Sequence, residues 1–304
     1  MGGAPSQPER PPGALGAVEG GGTRFVVSVR GAGGRELARE EVPTGSSHET
    51  LGAVREVLSS QGTLEAVGVA CFGPLDSRTG RLLSTPKEGW AGVDLAAALS
   101  LGPHTRLRFE TDVVGAALGE QARGAGQGCQ DLVYVTVGTG IGAGILAGGA
   151  PVRGRLHPEV GHLRLARAEG DSFAGCCPFH GDCWEGLASG PAIAARAGRP
   201  AEELADDHPA WEPVVHDLAQ GLLALTLTTA PERLLVGGGV GLRPGLLDRV
   251  RTRLLELAAG YLPEERFGAH ASWLQPAGLG AGAGIEGAFV LAAEAAAAAP
   301  SDEG

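Results

Sequence analysis

A segment in the middle of the chain concentrates side chains that bind metal ions. Cys177, His180 and Cys183 follow one another at intervals of three residues, and His162 precedes the first of them by fifteen residues. Thiolate and imidazole groups suit tetrahedral zinc, and four such ligands close a structural site. The spacing therefore predicts a bound Zn²⁺. Cys176 is an alternative ligand to Cys177, and buried thiols beside surface histidines are the alternative to a metal site.

Two glutamates flank these ligands. Glu159 lies within His157-Pro-Glu-Val-Gly-His162, and Glu185 follows Cys183 by two residues. A metal that fixes this segment would also fix both carboxylates. We therefore expect a substrate site beside the metal.

Three glycine-rich stretches follow predicted strands. They are Glu19-Gly-Gly-Gly-Thr23, Gly138-Thr-Gly-Ile-Gly142 and Gly237-Gly-Gly239. Glycine lets backbone N–H groups point at phosphate oxygens, and a Thr hydroxyl adds a donor. Hairpins use glycine for other reasons too, so each stretch alone is weak support for phosphate binding. The chain has no Gly-x4-Gly-Lys-[Ser/Thr] loop, and the stretch 138–142 precedes a strand where a dinucleotide fingerprint needs a helix.

Hydrophobic periodicity indicates an α/β protein with a repeated theme. Each half opens with a strand, a glycine hairpin and a returning strand, about 120 residues apart, which suggests a duplicated domain. The predicted strands cover 14–18, 25–29, 36–42, 66–71, 107–110, 132–137, 143–147, 234–236 and 272–274. The predicted helices cover 48–60, 95–99, 113–123, 211–229, 244–259 and 285–299.

Composition narrows the function class. With 304 residues the chain can bury a large core and is predicted to form two domains. Its net charge of −11 argues against nucleic-acid binding. Neither a signal peptide nor a membrane-spanning run is recognisable, so we expect a cytoplasmic protein without membrane contact.

The cysteines and histidines outside the metal segment suggest no chemistry. Five cysteines in a chain of this length do not indicate a disulfide framework. Cys71 is predicted to pack inside a strand, Cys129 to lie in a polar connection, and His216 to lie at the surface.

These motifs together resemble the sugar kinases of the ROK family, and within it the fructokinase branch. The resemblance runs from Ala14 to about Ala293, and the form Cys-Pro-aromatic-His-Gly-Asp-Cys after His157-Pro158-Glu159 points to fructokinases. The same form favours Cys177 over Cys176 as the ligand. The motifs that carry it are Glu19-Gly-Gly-Gly-Thr23, Gly73-Pro74, Thr85-Pro86-Lys87, Thr111-Asp-Val-Val-Gly-Ala-Ala-Leu-Gly-Glu120, Gly138-Thr-Gly-Ile-Gly142, His157-Pro-Glu-Val-Gly-His162, Cys177-Pro-Phe-His-Gly-Asp-Cys-Trp-Glu185 and Gly237-Gly-Gly239.

The resemblance implies an actin-like, ribonuclease-H-like ATPase fold of two α/β lobes with a central cleft. A disordered leader would cover 1–13. The N-terminal lobe would cover 14–112, with the C-terminal helix 285–299 packing back on it, and the C-terminal lobe with the zinc loop would cover 113–284. ATP with Mg²⁺ and a small hexose would bind, and a homodimer is expected.

The resemblance also assigns roles to individual residues. Asp112 would be the general base that accepts the proton of the attacking hydroxyl; a helix cap is the alternative. The sugar would be bound by Gly73, Pro74, Asp112, Glu159, His162 and Glu185. The nucleotide would be bound by Gly21, Gly22, Thr23, Arg24, Gly138, Thr139, Gly140, Gly142, Gly237, Gly238 and Gly239. Glu19 would order Mg²⁺ through water, and zinc would be held by His162, Cys177, His180 and Cys183.

The chain departs from the family pattern at a few positions. Val114 stands where Asn is common, Arg24 where Lys is commoner, and Ala281-Gly282 where Asp-Asn is frequent. Val114 predicts a lost hydrogen bond to the sugar. The resemblance thus implies a fructokinase, with a kinase of another hexose or amino sugar, such as glucose or mannose, or an inactive sugar-binding homologue as alternatives. A ROK-type repressor needs a DNA-binding segment before the first strand, and only 13 residues precede it here.

Overall fold

The computed structural model describes residues 13–85, 87–268 and 272–298. Almost all of the predicted leader (residues 1–12) and the last residue of the predicted C-terminal helix, Ala299, lie outside the described residues. The chain divides into two compact units, one of Met1–Asp112 with Ala288–Gly304 and one of Val113–Gly287.

The first unit is built on a five-stranded sheet with the strand order β3-β2-β1-β4-β7. Strand β1 is antiparallel to β2 and parallel to β4, so the predicted hairpin at the first glycine stretch is confirmed. The sheet strands are β1 (Ala14–Gly20), β2 (Arg24–Arg30), β3 (Glu36–Pro43), β4 (Leu64–Cys71) and β7 (Arg106–Thr111). A separate hairpin is formed by β5 (Leu75–Asp76) and β6 (Arg81–Leu82).

Two helices of this unit begin at polar caps. Helix α1 (Ser47–Ser60) starts after Ser46, whose hydroxyl accepts the Glu49 N–H. Its apolar residues at helical spacing are buried, as the periodicity predicted. Helix α2 (Leu95–Ala98) is capped by Asp94, which accepts the Ala97 N–H at 2.9 Å.

The second unit repeats this sheet. Its strand order is β10-β9-β8-β11-β12, and every neighbouring pair has the same relative direction as in the first unit. The strands are β8 (Leu132–Val137), β9 (Ile141–Ala147), β10 (Ala150–Pro151), β11 (Arg233–Gly237) and β12 (Leu274–Pro276). The last strand begins two residues later than the sequence predicted. The matching strand orders support the duplication that the glycine hairpins suggested.

Helices surround the second sheet and carry most of its core. A cluster of buried Val, Leu and Trp side chains joins the sheet to α6 and α7. The helices of this unit are α3 (Asp112–Arg123), α4 (Trp184–Ala188), α5 (Gly190–Ala197), α6 (Trp211–Thr229), α7 (Leu246–Ala258) and α8 (Glu264–Phe267). The last helix, α9 (Ala283–Ala297), begins in this unit, and its residues from Ala288 onward belong to the first unit. Among the described residues, none of the helices combines the length and the hydrophobicity needed to span a bilayer.

Candidate active site and metal centre

The first glycine turn, Gly21 to Thr23, joins β1 to β2. Gly21 N–H donates to Arg24 C=O at 2.9 Å, and the Thr44 hydroxyl donates to Gly21 C=O at 2.9 Å. Gly22, Thr23 and Arg24 are exposed. These two hydrogen bonds fix the turn, and residues 22–24 remain exposed to solvent. A phosphate-binding turn needs such exposure.

Two cations lie at this turn. Arg24 forms an ion pair with Glu41 at 3.4 Å, and both side chains are about half exposed. Lys87 donates from Nζ to Gly22 C=O at 2.6 Å. Lys87 and Gly22 are 65 residues apart in the chain, so their contact could not be predicted from the sequence. Glu19 precedes the turn in β1, opposite Val26 of β2.

Asp112 and the Gly73-Pro74 pair lie at the same edge of the sheet as the first glycine turn. Strands β1, β4 and β7 are parallel, and their carboxyl ends meet there, with Gly20 paired to Cys71 and Cys71 to Thr111. A cis peptide bond joins Gly73 to Pro74. This edge is where open α/β sheets commonly bind ligands.

Asp112 is half-buried at the first position of α3, directly after β7. The Asp112 carboxylate acts on Cys71, the last residue of the neighbouring strand β4. Burial raises the pKa of the Cys71 thiol well above its usual range, and the negative charge of Asp112 raises it further. Cys71 is fully buried, as predicted. The carboxylate thus lies at the carboxyl end of β7, beside the end of β4, where a general base could act.

Val114, two residues further along α3, is 1% exposed. Its side chain packs in the protein interior and does not line an open site. The expectation that this position merely lacks a sugar hydrogen bond is therefore not supported by its burial.

In the second unit the other two glycine stretches meet. Strands β8 and β11 are parallel, so Gly138 and Gly237 leave the sheet at the same edge. The Val137 carbonyl accepts the N–H groups of Val240 and Gly241 at 3.0 and 3.1 Å, which holds the stretch 237–241 against the end of β8. A cavity of about 830 Å³ adjoins both stretches, and its walls include Gly138, Thr139, Pro191, Trp211, Gly239 and Arg243.

Two of the predicted nucleotide residues of this unit, Gly142 and Gly237, lie in strands. Gly142 is the second residue of β9 and Gly237 the last residue of β11, and both pair with Thr136 of β8. We call residues 138–141 the second glycine turn; its last residue, Ile141, is also the first residue of β9.

The four predicted zinc ligands come together in the second unit. Their ligand atoms all lie within 4.8 Å of one another. His162 Nδ1 is 3.6 Å from Cys183 Sγ and 3.8 Å from Cys177 Sγ, and His180 Nδ1 is 3.8 Å from Cys177 Sγ. Zinc bonds of about 2.3 Å to sulfur and about 2.05 Å to nitrogen separate tetrahedral ligands by about 3.6 Å. The four residues, hereafter the metal cluster, fit a zinc ion, and the exposed Cys176 lies outside the set.

The donor set also matches zinc chemically, because thiolate and imidazole are the ligands that zinc prefers. Without a cation, burial raises the pKa of Cys183, and the neighbouring Cys177 thiol raises it further. A bound divalent cation would favour the thiolate form and release the proton.

The two flanking glutamates have different surroundings. Glu159 is exposed, and its carboxylate lies 2.8 Å from His157 Nε2. Glu185 is half-buried in α4, and its Oε2 accepts the Ile141 N–H at 2.9 Å. Only Glu185 therefore touches the second glycine turn.

The second unit also contains a buried charge cluster that local sequence patterns did not predict. Arg196 donates from both Nη atoms to Asp171 at 2.9 Å, from Nη2 to Asp217 at 3.0 Å and from Nε to the Leu187 carbonyl at 3.2 Å. Its guanidinium also stacks over the Phe173 ring. No local pattern links residues so far apart in the chain.

One further prediction was wrong. His216, expected at the surface, is 7% exposed in α6, where its Nδ1 accepts from Arg253 and its Nε2 lies 3.1 Å from the Ala166 carbonyl. Cys129 lies in the polar connection between α3 and β8, as predicted, and is 6% exposed there.

Comparison with known proteins identifies the family. Residues 15–295 match the model of the ROK family. The chain is 39% identical to a putative fructokinase of Bacillus subtilis (92% of this chain, 96% of the relative) and 35% identical to a fructokinase of Pediococcus pentosaceus (91% and 97%). A ROK family glucokinase from Streptomyces griseus, solved with glucose and AMPPNP, superposes with a TM-score of 0.72 at 27% identity (93% and 100%). The predicted actin-like ATPase fold is thereby confirmed, and the chain belongs to the ROK family.

Proposed function

We propose that this chain is an ATP-dependent hexose kinase, and specifically a fructokinase that converts ATP and D-fructose to ADP and D-fructose 6-phosphate. The observation that carries this proposal is the similarity to fructokinases along more than nine tenths of the chain. The predicted catalytic and glycine-turn residues fall within the matched region.

Asp112 is the proposed general base. A carboxylate at the carboxyl ends of parallel strands can accept the proton of a sugar hydroxyl as that oxygen attacks the γ-phosphate. Its position at the same edge of the sheet as the Gly73-Pro74 pair and the first glycine turn supports this role.

Phosphate binding is assigned to the two glycine turns. Arg24 and Lys87 would offset the negative charge of the phosphates at the first turn. Mg²⁺ would accompany ATP, and Glu19 would order it through water. The nucleoside end fits the cavity of about 830 Å³ beside Gly138 and Gly239.

The metal cluster would hold a structural zinc ion. When bound, zinc would fix the segment that carries Glu159 and Glu185 and would leave chemistry to the protein's own groups. His162 turns Nδ1 toward the cluster, which leaves Nε2 to hydrogen-bond a sugar hydroxyl. Glu159 and Glu185 would bind further hydroxyls.

A coupled ADP-release assay with fructose, glucose, mannose and amino sugars tests the proposal, with Asp112→Asn as the inactive control. Fructose should give the highest kcat/KM. A preference for another sugar would favour the hexose or amino-sugar alternative, and sugar binding without turnover would favour the inactive homologue. Light scattering would test the expected homodimer.

A further inference from the structure

The segment that carries the metal cluster also holds the second glycine turn. The N–H of Gly190, the first residue of α5, donates to the Gly138 carbonyl at 2.7 Å at the start of the turn. Glu185 accepts the Ile141 N–H at its end. The turn is thus held at both ends by residues that follow Cys183 within seven positions.

A side chain at position 140 would compete with Glu185 for space. A methyl group on Gly140 would lie 2.6 Å from Glu185 Oε2, so the carboxylate would have to move away from the turn. The φ angle of Gly140 is outside the left-handed region, so the conflict that alanine creates there is with the carboxylate and not with φ.

The contact with Glu185 also determines which backbone N–H groups of the turn remain available to a ligand. Gly138 N–H is taken by the Gly140 carbonyl at 2.9 Å, and Ile141 N–H is taken by Glu185. Within the described part of the chain, the N–H groups of Thr139 and Gly140 donate to no other protein group. Such N–H groups can donate hydrogen bonds to phosphate oxygens.

We propose that Glu185 is a positioning residue for nucleotide binding, in addition to any contact that it makes with the sugar. One carboxylate oxygen fixes the second glycine turn in the form that presents the Thr139 and Gly140 N–H groups, and the other oxygen remains for a hydroxyl. Sugar and nucleotide binding are thereby linked through one side chain. This inference rests on the proposed kinase function.

Calorimetric titration with Mg²⁺·AMPPNP in the absence of sugar tests the role of Glu185. Glu185→Ala should weaken nucleotide binding about tenfold, the low end for a hydrogen bond to a charged group. Glu185→Gln, whose amide oxygen can still accept the Ile141 N–H, should restore most of that loss. Glu159→Ala is the matched control: it removes the other proposed sugar carboxylate, which does not touch the turn, and should leave nucleotide affinity unchanged.

A double-mutant cycle guards against a general folding defect. Gly140→Ala alone should weaken nucleotide binding because its methyl group meets the carboxylate. In the double variant with Glu185→Ala, the methyl group occupies the space that the carboxylate has left. The double variant should therefore lose much less nucleotide affinity than the sum of the losses of the two single variants. Additive losses, or unchanged AMPPNP affinity in Glu185→Ala, would refute the proposal. Parent protein that binds AMPPNP but does not phosphorylate fructose would instead refute the proposed sugar and leave the role of Glu185 intact.

Discussion

Replacing Arg196 by methionine should destabilise the second unit more than any surface substitution. Methionine keeps most of the length of the side chain but removes every donor. Asp171 and Asp217 would then remain buried without the guanidinium that neutralises them, and the Leu187 carbonyl would lose its hydrogen bond.

The magnitude follows from burial. The side chains of Arg196, Asp171 and Asp217 are 6%, 10% and 0% exposed, so water cannot replace the lost partner. Removing one member of a buried ion pair costs about 3–5 kcal/mol. For a unit of this size, each kcal/mol lowers Tm by about 2–4 °C, so we expect a decrease of about 10 °C.

Protonation of Asp217 makes this loss depend on pH. Burial raises the pKa of Asp217 to about 7, and this effect outweighs the attraction of Arg196. Without Arg196 the pKa of Asp217 would rise further, so at pH 8 the variant must either bury a second charge or take up a proton, whereas at pH 5.5 Asp217 already holds a proton in the parent. The loss should therefore be larger at pH 8.

Thermal and urea unfolding at both pH values would measure the effect. Arg199→Met is the matched control, since Arg199 is exposed three residues further on, and it should change stability by less than about 0.5 kcal/mol. If Arg196→Met unfolds within about 2 °C of the parent at pH 8, the cluster does not stabilise the unit and the reasoning from burial is wrong.

Four further changes have definite expected outcomes. Asp112→Asn should lower kcat by roughly 10²–10⁴-fold while sugar binding changes little, and retained turnover in steady-state assays would leave Asp112 as a helix cap only. Cys183→Ser should lose zinc, measured by elemental analysis of dialysed protein, together with sugar affinity; parent protein that is active without zinc would contradict the metal assignment. Asp217→Asn should flatten the pH dependence of Tm between about pH 4 and 7, because a raised pKa means that the folded state keeps a proton that the unfolded chain releases, so stability falls as pH rises through this window. Val114→Asn buries an amide at a position that is 1% exposed and should cost about 1–3 kcal/mol in urea unfolding unless the amide finds partners, whereas a lowered KM for fructose at full stability would show that the position faces the sugar.

The sequence predicted features that depend on neighbours along the chain. Strand and helix periodicity located most elements to within one or two residues, because alternation and 3.6-residue spacing are local properties. The glycine hairpin before Arg24 was predictable for the same reason. The strand at 272–274 was misplaced where the periodic segment is only three residues long.

The sequence by itself determined the α/β class, the glycine turns and the four candidate zinc ligands, since each is encoded by residue type at short spacing. The tertiary structure alone decided which groups meet across long separations. It paired Lys87 with Gly22, Glu185 with Ile141 and Arg196 with Asp217. It also buried the Glu120 carboxylate against the N–H groups of Ala125, Gly278 and Leu279. Such contacts depend on how strands and helices pack, and packing is set by the whole buried surface, so no local pattern specifies them.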